Sequence, residues 1–357
     1  MPSRAPPIEP VLAHARAEIR ALTPYSHAAW EPELVRMHAN ELPWRVDGDT
    51  SDAGLNRYPE PQPPALIDAL ARLYGVWPTQ LLVGRGSDEA IDLLLRVFCR
   101  AGIDNVIVCP PTFGMYGVAA RIQGAEVRTV PLCAEAGFAL NEAALLAQVD
   151  QNTRLVFVCT PNNPTANALP PGQLLRIAAA LNPGALLVVD EAYIDFANVE
   201  SLTAYLGLTP NLAILKTLSK AHGLAGARVG CLVAHPEIIK LARKVIPPYA
   251  ITELTVEAVV PQLSDEAIAR TRTRIAQLLL EREQLAQGLA RSPLITRVWP
   301  SDANFLLVDC SDVDAVLARV RLAGLIVRDV RQPALPRSLR ISVGTPGQNA
   351  RLLESLA

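Results

Sequence analysis

The sequence lacks any apolar run near the roughly 20 residues that a bilayer span needs. Its opening, MPSRAPPIEP, lacks the apolar core of a secretory signal, so no membrane is expected as a partner and a cytoplasmic location is. Six cysteines occur without one C-x-x-C pair, which removes the zinc and thiol-redox motifs. Cys159 in LVFVCT and Cys231 in VGCLVA sit in apolar runs, where a free thiol behaves as a small hydrophobe. The five histidines, His14, His27, His38, His222 and His235, show no ligand spacing, and no metal site is expected. Basic blocks are absent as well. Thirty-three Lys and Arg against 35 Asp and Glu give a net charge of −2, which leaves no electrostatic footprint for nucleic acid. There is no G-x-x-x-x-G-K-[ST] loop, and the dinucleotide pattern G-x-G-x-x-G fails at Glu89.

What the 357 residues do have is alternation. After an irregular or loosely helical opening of about 40 residues, short apolar runs suited to buried strands alternate with longer helical segments. Expected strands are Gln80–Val83, Asn105–Cys109, Glu126–Val130, Arg154–Cys159, Ala185–Val189, Leu212–Leu215 and Val229–Val233. Expected helices include Ser87–Ala101, Pro171–Leu181 and Pro236–Lys244. The pattern predicts an α/β fold whose mostly parallel sheet is covered by helices on both faces. A long charged helix from about Asp265 to Arg291 then leads to a smaller α+β unit, with strands near Ala303–Val308 and Leu339–Val343. The expected division is 1–45 as an arm and small-domain segment, 46–264 as the large domain, and 265–357 as connector and small domain.

Ligands of α/β sheets gather at the carboxyl ends of strands. After the first strand comes Gly84-Arg85-Gly86-Ser87-Asp88-Glu89, where a helix N-terminus could receive a phosphate; a plain turn capped by Ser87 accounts for it as well. After the fourth comes Thr160-Pro161-Asn162-Asn163-Pro164-Thr165, a rigid turn carrying amides, or simply a tight loop. Asp190 in Asp190-Glu191-Ala192-Tyr193 ends an apolar strand, where a carboxylate needs a partner or serves as a helix cap. Lys216-Thr217-Leu218-Ser219-Lys220 follows the sixth strand, with Gly223 to Arg228 beyond it; alone, Lys220 reads as a surface lysine.

In this order and spacing the four motifs resemble the fold-type I pyridoxal-phosphate (PLP) enzymes of the class I/II aminotransferase superfamily. The resemblance implies that Lys220 holds the cofactor covalently and shuttles the substrate proton, and that Asp190 pairs with the pyridinium nitrogen. It places Asn163 and Tyr193 on the cofactor's phenolic oxygen, and Phe113 on the face of its ring. Ser87, Asp88, Ser219 and Arg228 would surround the phosphate, and Tyr58 would reach it from the other subunit of a homodimer.

Within the superfamily the chain is most similar to the histidinol-phosphate aminotransferases. Leu22-Thr23-Pro24-Tyr25, His38-Ala39-Asn40-Glu41, Gly84–Glu89, Pro110–Tyr116 and Gly324–Thr345 carry that likeness. It implies transamination between L-histidinol phosphate and 2-oxoglutarate, giving imidazole acetol phosphate and L-glutamate in histidine biosynthesis. Arg328 and Arg340 would meet the substrate anions, with Tyr25 and Asn40 lining the same pocket. Aromatic transamination, phosphothreonine decarboxylation and a non-catalytic binding role are the alternatives. The departures are Ala166 in place of the family's glycine, Leu42-Pro43 in place of Asn-Pro, and His222 at a usually hydrophobic position.

Overall fold

The computed structural model describes residues 7–27, 31, 33–181 and 184–357. Pro2 and Pro6 of the expected arm lie outside the described residues. Seven strands form the large sheet: β1 Leu81–Gly84, β2 Asn105–Val108, β3 Glu126–Thr129, β4 Thr153–Cys159, β5 Leu186–Asp190, β6 Leu212–Thr217 and β7 Gly230–Ala234. Their order is β1-β7-β6-β5-β4-β2-β3, and only β7 runs against its neighbours.

Side chains alternate between the two faces of each strand. Val156, Val158, Leu187, Val189, Leu212 and Ile214 pack on one side. Leu155, Phe157, Leu186, Val188, Ala213 and Leu215 pack on the other. A strand buried on both faces therefore reads as an unbroken apolar run, as β4, β5 and β6 do. β3 departs from that expectation. Glu126 and Thr129 are exposed because β3 is an edge strand, where charge discourages pairing with another chain.

Several bounds move. Gln80 belongs to a 3-10 turn, Pro78–Gln80, rather than to β1. The first long helix stops at Phe98, where Cys99 turns to extended backbone, rather than running to Ala101. β6 runs on through Lys216 and Thr217, and β5 includes Asp190. Helices at Pro64–Tyr74 and Met115–Gln123 add to those expected.

The second sheet joins β8 Ile295–Val298, β9 Phe305–Cys310, β10 Arg328–Asp329 and β11 Ser338–Ser342 in the order β10-β11-β9-β8, all antiparallel. It packs with helices Val313–Leu322 and Pro346–Ser355 and the end of the Asp265–Leu289 helix around its own apolar cluster. Asp302 ties this unit to the turn after β4: its carboxylate accepts from the Ala168 N–H at 2.8 Å, and its own N–H donates to the Ala166 carbonyl at 2.8 Å.

Candidate active site

The carboxyl ends of β4, β5 and β6 open into a cleft of about 830 Å³. Ser87, Asp88, Phe113, Asn163, Asp190, Tyr193, Ser219, Lys220, Arg228, Arg328 and Arg340 all line it.

Parity decides between the two lysines of the Lys216–Lys220 segment. Lys216 shares the face of Leu212 and Ile214, opposite Asp190. Its amine is buried 2.5 Å from Glu191 Oε2 and 3.0 Å from Ser201 Oγ. Lys220 lies beyond the strand, with its amine 5.6 Å from the centre of the Tyr193 ring and no carboxylate paired to it among the described residues. Burial and the Arg340 charge lower the Lys220 pKa; Asp190 and Asp88 oppose them, and Arg228 adds to the lowering. An amine in that setting gives up its proton more readily than a free lysine.

Asp190 shares its face with Leu186 and Val188 and is buried. One oxygen accepts from the Tyr116 hydroxyl at 2.6 Å and the other from the Ala192 N–H at 3.0 Å. Burial still raises its pKa, because those two donors offset only part of the cost. A carboxylate so placed, facing a cleft, is short of a cation.

The end of the cleft at the Ser87–Phe98 helix depends on two glycines. Gly86, at φ +85°, precedes the Ser87–Phe98 helix, and a Cβ there would meet the Arg228 guanidinium at 2.6 Å. A Cβ on Gly230 would lie 2.5 Å from the Gly86 carbonyl carbon, so β7 packs directly on the helix start. Free N–H groups, the helix dipole and Arg228, itself 3.5 Å from Asp88, make this end electropositive.

The turn after β4 divides its two asparagines. Asn162 is buried and bonds Pro111, Thr112 and Thr165; Asn163 faces the cleft and accepts from Arg340. Arg340 thus crosses from β11 to the turn after β4. It pairs in register with Arg328, and among the described residues neither guanidinium has a carboxylate partner. Two uncompensated arginines at one wall call for an anion. Tyr193, its pKa raised by burial, packs edge-on against Phe305 at 5.2 Å.

Tyr25, Asn40 and Tyr58 do not reach this cleft. The expectation that Tyr25 and Asn40 line the pocket of Arg340 is not met within one chain. They line a separate hollow of about 990 Å³ with His27, Arg57 and Tyr249. The reason lies in Glu41, which accepts from the Tyr58 N–H at 2.7 Å and pairs with Arg57 at 2.9 Å and Arg36 at 2.8 Å. That clamp holds the Asn40 segment beside Tyr58, and Tyr58 stacks on Tyr249 at 4.7 Å.

Tyr116 is the site residue that sequence reasoning did not single out. In a helix a buried tyrosine gives the same signal as any core aromatic. Among the described residues no group of three His, Cys, Asp or Glu is placed to hold a metal, and no helix is long and apolar enough to cross a membrane.

Comparison with known families agrees with this geometry. The model of the aminotransferase class I and II family matches residues 32–356. The chain belongs to that family. It is 44% identical to a histidinol-phosphate aminotransferase of Stenotrophomonas maltophilia, over 98% of this chain and 97% of the relative. It is 45% identical to one of Xanthomonas euvesicatoria, over 97% and 96%. A histidinol-phosphate aminotransferase of Sinorhizobium meliloti, solved in complex with pyridoxal-5'-phosphate, superposes with a TM-score of 0.77 at 27% identity, covering 84% of this chain and 82% of that one. The fold is accordingly that of the fold-type I aminotransferases.

Proposed function

We propose that this aminotransferase uses PLP to move an amino group reversibly between L-histidinol phosphate and 2-oxoglutarate, yielding imidazole acetol phosphate and L-glutamate in histidine biosynthesis. The observation that carries the reading is one cleft holding an unpaired amine, a buried carboxylate short of a cation, a glycine-built anion cradle and two uncompensated arginines. Near full-length similarity to histidinol-phosphate aminotransferases supports the substrate.

The residues present fit the cofactor. Ser87, Asp88, Ser219 and Arg228 would hold its phosphate, Phe113 its ring face, Asp190 its ring nitrogen, and Asn163 and Tyr193 its phenolic oxygen. When bound, PLP supplies the electron sink that makes the substrate's Cα–H acidic. Lys220 then takes that proton and returns it one position along, a task suited to an amine of lowered pKa. Arg340, with Arg328 beside it, turns from the neutral Asn163 amide to the substrate anion. Its planar fork accepts the donor's phosphate and the carboxylate of glutamate in turn.

A homodimer completes the reading, with Tyr58 of the clamped hollow turned toward the partner's cofactor phosphate and Tyr25 and Asn40 toward its substrate. Six unbridged cysteines, five of them buried, fit a reducing cytoplasm. The division at about residue 265 into large and small domains belongs to the same proposal, and separate apolar clusters support it.

The test is a visible spectrum of the PLP-loaded enzyme before and after adding histidinol phosphate without a keto acid. The expected result is loss of the visible band, its return with 2-oxoglutarate, and no turnover by Lys220→Ala. A response to phenylalanine or phosphothreonine alone would replace the substrate, and full activity in Lys220→Ala would end the reading.

A further inference from the structure

Tyr116 joins two groups that the proposed chemistry uses separately. It sits in the first turn of the Met115–Gln123 helix and is fully buried. Its ring lies parallel to Phe157, with centroids 5.1 Å apart and 8° between planes, and that contact fixes the ring's orientation. The hydroxyl then points at Asp190 Oδ2, 2.6 Å away. The ring also makes a T-shaped contact with Phe113, 5.5 Å between centroids at 81°, so the same side chain packs on the aromatic that lines the cleft.

We propose that Tyr116 is a positioning residue of the reaction: its hydroxyl keeps Asp190 ionised and aimed into the cleft, and its ring sets the tilt of Phe113. The inference rests on the reading of Asp190 as partner of the cofactor's ring nitrogen. A hydrogen bond to a carboxylate stabilises the charged form. Without it, Asp190 competes harder for the proton it shares with that nitrogen, and the ring loses the positive charge that draws electrons from the substrate. Among the described residues Asp190 has one other donor, the Ala192 N–H, so the Tyr116 hydroxyl is half of the hydrogen bonding it receives there.

Tyr116→Phe removes the hydroxyl and keeps the ring between Phe157 and Phe113. In the PLP-loaded enzyme the dissociation constant for PLP should rise roughly tenfold, the loss of one charge-assisted hydrogen bond. The midpoint of the visible band's pH titration should move upward, and kcat should fall with KM nearly unchanged. Asp190→Asn should show larger changes in the same measurements, and adding Tyr116→Phe to Asp190→Asn should change nothing further. A Tyr116→Phe enzyme that matches the parent in PLP affinity and titration overturns the proposal while leaving Asp190's role intact. An effect equally large in the Asp190→Asn background shows packing alone and also overturns it. If Asp190→Asn itself leaves PLP affinity and titration unchanged, the reading of Asp190 falls and the proposal with it.

Discussion

The Lys220 cleft and the hollow around Tyr58 are held by different means. The cleft is built on strand ends: Cys159 pairs in register with Asp190, Asp190 with Leu215, and Thr217 with Gly230. Backbone ladders fix these positions, and side chains only decorate them. The hollow is built on irregular chain tied by side chains to backbone. Asp49 accepts from the Ser51 and Leu55 N–H groups, Arg45 donates to the Ser51 and Asp52 carbonyls, and Asn56 donates to the Leu42 carbonyl. Glu41 completes the set. A wall made of ladders tolerates surface change but no added volume, whereas a wall made of ionised clamps responds to pH.

Gly230→Ala tests the first half of that contrast and should have the largest effect. Its new methyl has only backbone to push against, so the expected loss is about 3 kcal/mol of stability together with the phosphate cradle. A urea midpoint close to that of the parent, with PLP binding intact, would show that the strand ends yield more than the geometry implies.

Glu41→Gln tests the second half, at about 2 kcal/mol near neutral pH, because two arginines and one N–H lose a charged acceptor. Burial alone would raise the Glu41 pKa; the Tyr58 N–H, Arg57 and Arg36 outweigh it and hold the pKa below its usual value. A folded pKa below the unfolded one gives stability that is present above the unfolded value and disappears as pH falls through the folded one. The gap between parent and variant urea midpoints should therefore hold at pH values above about 4.5 and narrow as pH falls below it. A gap that stays constant would rule out Glu41 ionisation as the clamp.

Ala166→Gly should do least. Ala166 holds φ +67° at the end of the cleft's own turn, which costs an alanine about 1–2 kcal/mol. It is also fully buried against Tyr193 and Phe305, and glycine would lose that methyl, about 0.8 kcal/mol, and add chain entropy of about 0.5–1 kcal/mol. The terms cancel to within about 0.8 kcal/mol, so thermal denaturation should move little. A larger shift of either sign would show which term has been misjudged.

The sheet was legible because a strand buried on both faces has no polar side to hide its pattern. β10 was not, since two residues, Arg328 and Asp329, carry no periodicity. Asn163, Asp190 and Lys220 were legible because each ends or follows a strand and falls in a motif, whereas Arg328 and Arg340 lie within β10 and β11 and came only from the family resemblance. Tyr116 and Glu41 act through other residues, and a tyrosine in a helix or a glutamate in a loop looks the same whether or not it has a task. The separation of Tyr25 and Asn40 from Arg340 was hidden for another reason: the path of an irregular segment is set by distant partners such as Arg57, not by local spacing.

β7 alone runs against the sheet, and this shapes how the protein can change over generations. A hairpin whose two arms both meet the cleft edge gathers Lys220, Arg228 and Gly230 into one short stretch of chain. A crossover between related genes that falls between Lys220 and Arg228 would mix the amine of one parent with the guanidinium and close-packing glycine of another. A crossover on either side passes the stretch on whole, so shuffled libraries of these enzymes should keep it as a single inherited block.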